Sequence, residues 1–234
     1  EEFAYAASHD LKEPIRKIHL FTDRLKQELA DQLNSHQQHL FDRVENASQR
    51  MGTLIEDLLT YSQFSKGASE FETVDLAKKV QNVLEDLEVE IEERHAKITV
   101  KDLPVIPGHK RQIQQLFQNL ISNSLKYSRP DVQPEIWISG ETVFGRQVPI
   151  ALSKDEEDNK FHLIKVQDNG IGFDQQDAER IFNVFTRLHG NAEYKGTGVG
   201  LSIAQKVVEN HHGRIWAKGK QNEGATFYII LPFE

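Results

Sequence analysis

The chain of 234 residues has no cysteine, one methionine and two tryptophans. Without thiols there are no disulfides and no thiolate metal sites, which fits a reducing compartment and a cytoplasmic location. Long apolar runs are also missing, so no bilayer-crossing segment and no signal peptide is expected in this stretch. Direct membrane contact by this stretch is therefore not expected, although a membrane-anchored parent stays open. Positive charge is in deficit, with 28 Lys and Arg against 36 Asp and Glu and a net charge of −8. That balance argues against bulk binding of nucleic acid. What remains, 38% hydrophobic and 27% charged, is the composition of a globular protein. The length allows one large or two small domains. Because Glu1 already lies inside an amphipathic pattern, the chain reads as a fragment whose upstream input domain is missing.

Residues 1–66 are poor in helix breakers, holding only Gly52 and Pro14. Phe3, Ala7, Leu11, Ile15, Ile18, Phe21 and Leu25 recur at helical spacing, and a polar break follows at Asp31 to Ser35. Beyond it Leu40, Val44, Ala47, Met51, Leu54, Leu58 and Tyr61 alternate in steps of four and three, a heptad seam. Two long helices joined by a short turn make a hairpin with an exposed apolar stripe. Pairing with a second copy in a four-helix bundle would bury it, and this is favoured because the seam is long and narrow. The alternative is packing on the rest of the same chain. Pro14 predicts a kink just after His9.

Residues 67–71 read as a linker, and residues 72–234 as a mixed α/β domain, so the chain is α+β overall. Asp75 is placed to cap a helix running to about Arg94. Ala96 to Val100, Pro134 to Val143 and Lys160 to Asp168 read as strands, and His109 to Tyr127 and Gly198 to Asn210 as helices. Gly213 to Lys218 and Gly224 to Leu231 form a closing hairpin. The charged run Lys154 to Lys160 is expected to be a solvated hairpin tip.

Four blocks carry chemistry. On the helix 109–127, Asn119, Asn123 and Lys126 share one face. Asparagine oxygens suit Mg²⁺, lysine neutralises phosphate and Tyr127 can stack on a base; the plain alternative is a polar surface stripe. Asp168 ends a strand before Gly170 and Gly172, where a carboxylate can accept from an adenine amino group; otherwise this is a common Asp-Asn-Gly turn. Gly196-Thr197-Gly198-Val199-Gly200-Leu201 opens a helix whose exposed N–H groups suit phosphate. It is neither a dinucleotide fingerprint nor a P-loop. Asp174 to Lys195, with Phe182, Phe185 and Arg187, reads as a lid. Arg187 and Lys195 are either phosphate contacts or plain surface charges. His9 stands apart from the other histidines because Asp10 follows it and Glu13 lies one helical turn on. A carboxylate holding its Nδ1 proton leaves Nε2 free to attack a γ-phosphoryl group. Spacing alone makes Glu13 the neighbour on the same face. The pair His211-His212 lacks partners for a metal site.

Together these blocks resemble the sensor histidine kinases of two-component systems, and the resemblance covers essentially the whole chain. Ser8-His9-Asp10-Leu11 is similar to the H-box, Asn119 to Tyr127 to the N-box and Asp168 to Gly172 to the G1 box. Phe182 to Arg187 is similar to the F-box and Gly196 to Leu201 to the G2 box. The pattern His-Asp-Leu-x-Glu-Pro looks like kinases linked to phytochrome or PAS sensors. The resemblance implies a dimerisation and histidine-phosphotransfer hairpin (1–66) and a catalytic ATP-binding domain (72–234), a two-layer α/β sandwich of the Bergerat or GHKL type. It implies His9 as the phosphorylated residue, Asp10 as its acid/base partner, ATP and Mg²⁺ as cofactors and Asn123 as metal ligand with Asn119 in support. Lys126 would touch phosphate, Tyr127 would stack on adenine and Asp168 would read its amino group. The implied partners are a second copy of the chain, an upstream sensor domain and a response-regulator receiver domain. Many relatives carry Thr or Asn where Glu13 stands, so weak or absent phosphatase activity is expected, with Glu13 orienting His9 instead. Two rivals are a GHKL ATPase and a non-catalytic dimerisation scaffold. The first needs a water-activating carboxylate on the helix 109–127, which has none; the intact motifs argue against the second.

Overall fold

The computed structural model describes residues 2–30, 32–64, 70–188 and 196–233, and for residues 2–10 the backbone alone. Helix α1 (Glu2–Glu28) runs through Pro14 without interruption and returns as α2 (Ser35–Phe64). The turn is closed by a reciprocal cap: Gln37 N–H donates to Asn34 Oδ1 and Asn34 N–H to Gln37 Oε1, both at 2.9 Å. Register along the hairpin is marked by Lys26 Nζ on Asp42 (2.7 Å), Ser48 Oγ donating to Ile15 O (3.2 Å) and Lys12 Nζ facing Glu56 (3.2 Å). The stripe divides between two environments. Leu11, Ile18, Leu25, Val44, Met51 and Leu58 are exposed, whereas Leu54, Tyr61 and Phe64 pack against the core of the following domain.

That domain is built on a five-stranded sheet in the order β2-β4-β5-β7-β6. The strands are β2 (Lys97–Lys101), β4 (Glu135–Phe144), β5 (Lys160–Asp168), β6 (Arg214–Lys220) and β7 (Gly224–Pro232). Only β2 and β4 run parallel. Alternation puts Ile136, Ile138, Ile164, Val166, Phe227 and Ile229 on one face. They meet the apolar sides of α3 (Leu76–Asp86), α5 (Lys110–Lys126) and α6 (Gly200–Asn210), so the expected two-layer sandwich with helices on one face is present. Phe117 and Leu120 of α5 are fully buried at its centre.

Several local expectations need correcting. Asp75 does cap α3, accepting from Lys78 N–H at 3.1 Å, but the helix breaks at Leu87 and a short α4 (Glu88–Glu93) continues. The break falls within an acidic run whose mutual repulsion weakens a single helix, and it lets Leu87 turn into the core. Strands β1 (Glu72–Asp75) and β3 (Val105–Gly108) form a small antiparallel sheet that the sequence hid, because each is only four residues long and β3 follows Pro104 and contains Pro107. The charged tip is not simply solvated. Its Glu156 accepts from Ser153 N–H (2.9 Å) and Oγ (2.7 Å) and pairs with Arg214 of β6 (2.9 Å). The stretch before it lays Val148, Ile150 and Leu152 over Phe161, Leu163 and Ile230 on the second sheet face.

Where hairpin and sheet domain join, Phe71 stacks on His211 (centroids 5.4 Å apart) and meets His109 edge-on (4.6 Å). His109 backbone N–H donates to His211 Nε2 at 3.0 Å, and His211 Nδ1 lies 2.7 Å from Val207 O. Nδ1 therefore carries the proton, which makes His211 a neutral core histidine. Burial pushes both histidines below their ordinary value of 6.5, His109 against an upward pull from Glu72. The unfolded chain takes up these protons first, so stability is full above about pH 6.5 and is lost as pH falls below it. Thermal melts taken from pH 7.5 down to about 5.5 should show a falling Tm. H211Q should melt lower at pH 7.5 but with a shallower pH slope; an unchanged slope would exclude this pair as the source.

Candidate nucleotide-binding site

Helix α5, the end of β5, the start of α6 and the 181–188 stretch line a cleft. Asn123, Tyr127, Asp168, Gly172, Arg187 and Leu201 line it, over apolar Ile171, Phe173, Ile181 and Phe227. Asp168 is only 8% exposed. It shares the core face of β5 with Ile164 and Val166, as strand alternation requires. Its Oδ1 accepts from Gly170 N–H (2.9 Å) and Ala225 N–H (3.2 Å), and Ser124 Oγ lies 3.4 Å from Oδ2. Burial pushes the Asp168 carboxyl up, and those three donors pull it back. With Oδ2 so lightly engaged, its lone pairs remain for a donor on the ligand, as an amino group provides.

The turn after Asp168 is fixed by its surroundings. Ile171 N–H donates to Tyr127 O at 2.9 Å beside Gly170, and Arg129 donates to Asn169 O (2.9 Å) and Asn222 O (2.8 Å). Gly172 sits at φ +61°, and a Cβ there would lie 2.0 Å from Lys220 O. No other residue fits without moving the β6–β7 turn.

Asn119, Asn123 and Lys126 lie along α5 as expected. Asn123 lines the cleft. Asn119 Oδ1 accepts from Gln115 at 3.2 Å, but its Nδ2 is buried without a partner among the described residues. An orphaned buried donor costs about 1–3 kcal/mol, a cost removed if an anionic oxygen is bound beside it. Gly200, the first residue of α6, lies next to Asn119. Lys126 Nζ donates to Tyr127 Oη (2.9 Å), sits 4.4 Å from the Tyr127 ring centroid and lies beside Gly196. A cation therefore stands at the glycine loop, with an aromatic face at the cleft. The donor set (asparagine amides, a lysine and loop N–H groups) fits nucleotide phosphates with a hard divalent cation.

Gly198 adopts φ +77°, and a Cβ would come within 2.8 Å of Thr186 O. Its carbonyl accepts from Phe185 N–H at 2.9 Å, tying the 181–188 stretch to the loop. Of the lid expected over Asp174 to Lys195, residues 174–188 are described and residues 189–195 lie outside the described residues. Ile181 and Phe182 are buried, Phe182 edge-on to Phe227, so residues 174–188 form a packed wall, with Phe185 exposed on it at φ +65°. Lys195 and the side chains of His9 and Asp10 lie outside the described residues. Glu13 pairs with Lys17 at 2.6 Å on the exposed side of α1. Sequence reasoning missed Ser124, Arg129, Asn169 and Asp57. For Asp57 there was a partial signal, since it and Glu56 are two acids set between Ile55 and Leu58.

Residues 108–234 match the family described as "Histidine kinase-, DNA gyrase B-, and HSP90-like ATPase", and residues 1–67 match the "His Kinase A (phospho-acceptor) domain". The chain is 38% identical over 232 residues to cyanobacterial phytochrome A of Nostoc sp., covering 99% of this chain and 28% of that protein. It is 37% identical to the phytochrome-like protein Cph1 of Synechocystis sp., covering 99% of this chain and 29% of that one. The chain thus spans under a third of the length of these curated relatives. Among solved structures, full-length ShkA in complex with AMPPNP superimposes with a TM-score of 0.70 over 99% of this chain and 46% of that one. At 18% identity this likeness bears on the fold alone.

Replacing Asp168 with Asn keeps an acceptor for Gly170 and Ala225 but turns an amide donor toward the ligand's amino group. D168N should weaken ATP binding by about 10- to 100-fold, as loss of a charged hydrogen bond does, and should reduce thermal stabilisation at a given ATP concentration. Wild-type affinity in D168N would show that Asp168 does not read the base.

Proposed function

We propose a catalytic cycle from one premise: the chain belongs to the sensor histidine kinases of two-component systems. The observation that carries the proposal is that one chain joins a phospho-acceptor hairpin to an ATP-binding domain whose cleft holds a buried carboxylate and reaches Leu201 at the end of the glycine loop. Asp168 accepts a hydrogen bond from the adenine amino group, and the Tyr127 ring covers the base. Lys126, Arg187 and Lys195 offset phosphate charge, and the loop Gly196 to Leu201 supplies backbone N–H donors. Asn123 holds Mg²⁺ with Asn119 in support. When bound, that ion neutralises charge on the phosphate oxygens.

The acceptor is His9. Its Nε2 lone pair forms the N–P bond to the γ-phosphorus as the bridging O–P bond breaks, and ADP leaves with that electron pair. Asp10 accepts a hydrogen bond from Nδ1–H, which leaves Nε2 unprotonated, and takes that proton as acid/base partner when the N–P bond forms. The phosphoryl group then passes to an aspartate of a response-regulator receiver domain. The exposed stripe of α1 and α2 pairs with a second copy, burying Leu11, Ile18, Val44 and Met51. Glu13 stands where relatives carry Thr or Asn, so dephosphorylation of the partner is weak. Upstream we place a sensor of the phytochrome or PAS class, consistent with relatives that are themselves named phytochromes. No described helix is long and apolar enough to cross a membrane.

Incubation with γ-labelled Mg-ATP tests the cycle. The chain should gain label that survives base and is lost in acid, as a phosphoramidate is. H9Q should gain none, and N123A should lose the magnesium-dependent part. Acid-stable label, or label retained in H9Q, would place the acceptor elsewhere.

A further inference from the structure

The glycine loop touches the hairpin as well as the cleft. Thr197 Oγ donates a hydrogen bond to Asp57 Oδ2 on α2. This is not an isolated surface pair. Ile55 is buried beside it, Leu54, Tyr61 and Phe64 pack into the domain core, and Asn210 Nδ2 donates to Phe64 O at 2.7 Å. Asp57 itself is half-buried, and burial pushes its carboxyl up, partly offset by the Thr197 hydroxyl. An acid held there in spite of desolvation depends on that hydroxyl.

The contact lies close to the phospho-acceptor. Lys12 pairs with Glu56 across the hairpin at 3.2 Å, which sets the level of Asp57 on α1. His9 precedes Lys12 by three residues, about 4.5 Å of helix rise. The loop that is read as holding phosphate therefore meets α2 within about one turn of His9.

A hydroxyl has a single hydrogen to donate, and here the carboxylate of Asp57 takes it. A triphosphate on the same loop would compete for that hydrogen, and two anions a few ångströms apart repel each other in a partly desolvated site. We propose that Asp57 is an internal competitor of the nucleotide phosphates for Thr197, so that seating of the hairpin on the ATP-binding domain and binding of ATP oppose each other. The proposal rests on the reading of Gly196 to Leu201 as the phosphate loop. Linkage makes the opposition reciprocal: ATP loosens the Asp57 contact, and the contact weakens ATP. The measured affinity is then the intrinsic one multiplied by the fraction of molecules whose loop is free of Asp57. Release of the loop by nucleotide at the level of His9 leaves the domain able to present the γ-phosphoryl group to it.

The whole chain tests this, with ATP affinity by calorimetry and hydrogen exchange over residues 52–64. D57N should bind Mg-ATP about three- to tenfold more tightly than wild type, with KM for ATP lowered in the same ratio. E56Q, which neutralises the adjacent exposed acid, should leave affinity unchanged. In wild type, Mg-ATP should speed exchange over 52–64. T197V should speed it without nucleotide, because that variant lacks the hydroxyl. Equal or weaker ATP binding in D57N, or exchange over 52–64 that ATP leaves unchanged, would overturn the competition. Absence of ATP binding in wild type would instead overturn the phosphate-loop reading on which it rests.

Discussion

A carboxylate kept almost out of water at the end of β5 constrains much of this fold. Left alone, desolvation would favour its neutral form. Asp168 is held by donors from separate parts of the chain: Gly170 in the turn that follows, Ala225 at the start of β7 and Ser124 on α5. Each depends on longer-range order. Ala225 faces Asp168 only in the observed β5–β7 register. A slip of one residue would turn Asp168 to the opposite sheet face. Ser124 arrives because the apolar side of α5, centred on Phe117 and Leu120, seats that helix on the sheet. At the turn, Gly224 takes φ +101°, where a Cβ would fall 2.0 Å from Asp168 O. Packing, register and turn geometry thus meet at one acid.

The hairpin's apolar stripe obeys a second constraint, the mismatch between 3.6 residues per turn and a repeat of seven. In α2 the seam forms two columns. Val44, Met51 and Leu58 are exposed, while from the other column Leu54 and Tyr61 contact the ATP-binding domain. A straight helix turns about 20° per heptad against its own repeat, so one seam can face two partners at different heights. Expectations of a second copy and of packing within the chain are therefore not rivals. The intramolecular contact accounts for the end near residue 60 and leaves Leu11, Ile18, Val44 and Met51 unburied.

What the sequence disclosed followed strength of periodicity. Long elements with clear spacing, α2, α5, β5 and the closing hairpin, stand where the pattern put them. Elements of only four residues, β1 and the proline-containing β3, carried too little pattern to see. Residues with a motif, such as Asn123, Tyr127, Asp168 and Gly172, were legible and do converge on one cleft. Those that act by holding others were not. Arg129 reaches across more than 90 residues to the β6–β7 turn, and Ser124 differs from any buried helical serine only in what β5 brings beside it. The segment 174–188 misled because polar residues surround Ile181 and Phe182, and composition averaged over a window hides two core side chains.

Charge gives the last step. A chain of net charge −8 has to hold a polyanion, and its bulk field opposes the approach. Screening limits that opposition, since at physiological ionic strength exposed charges fade over about 8 Å. The acidic runs on α4 and in the 154–158 connector line no part of the cleft, while Arg187 lines it and Lys126 stands beside the glycine loop. Local arrangement therefore outweighs net charge. Asp57 goes against this arrangement by bringing an acid from the hairpin to a loop beside Lys126. With cations already gathered for phosphate, a carboxylate can engage that loop in the nucleotide's absence, and the polarity that attracts one anion attracts the other.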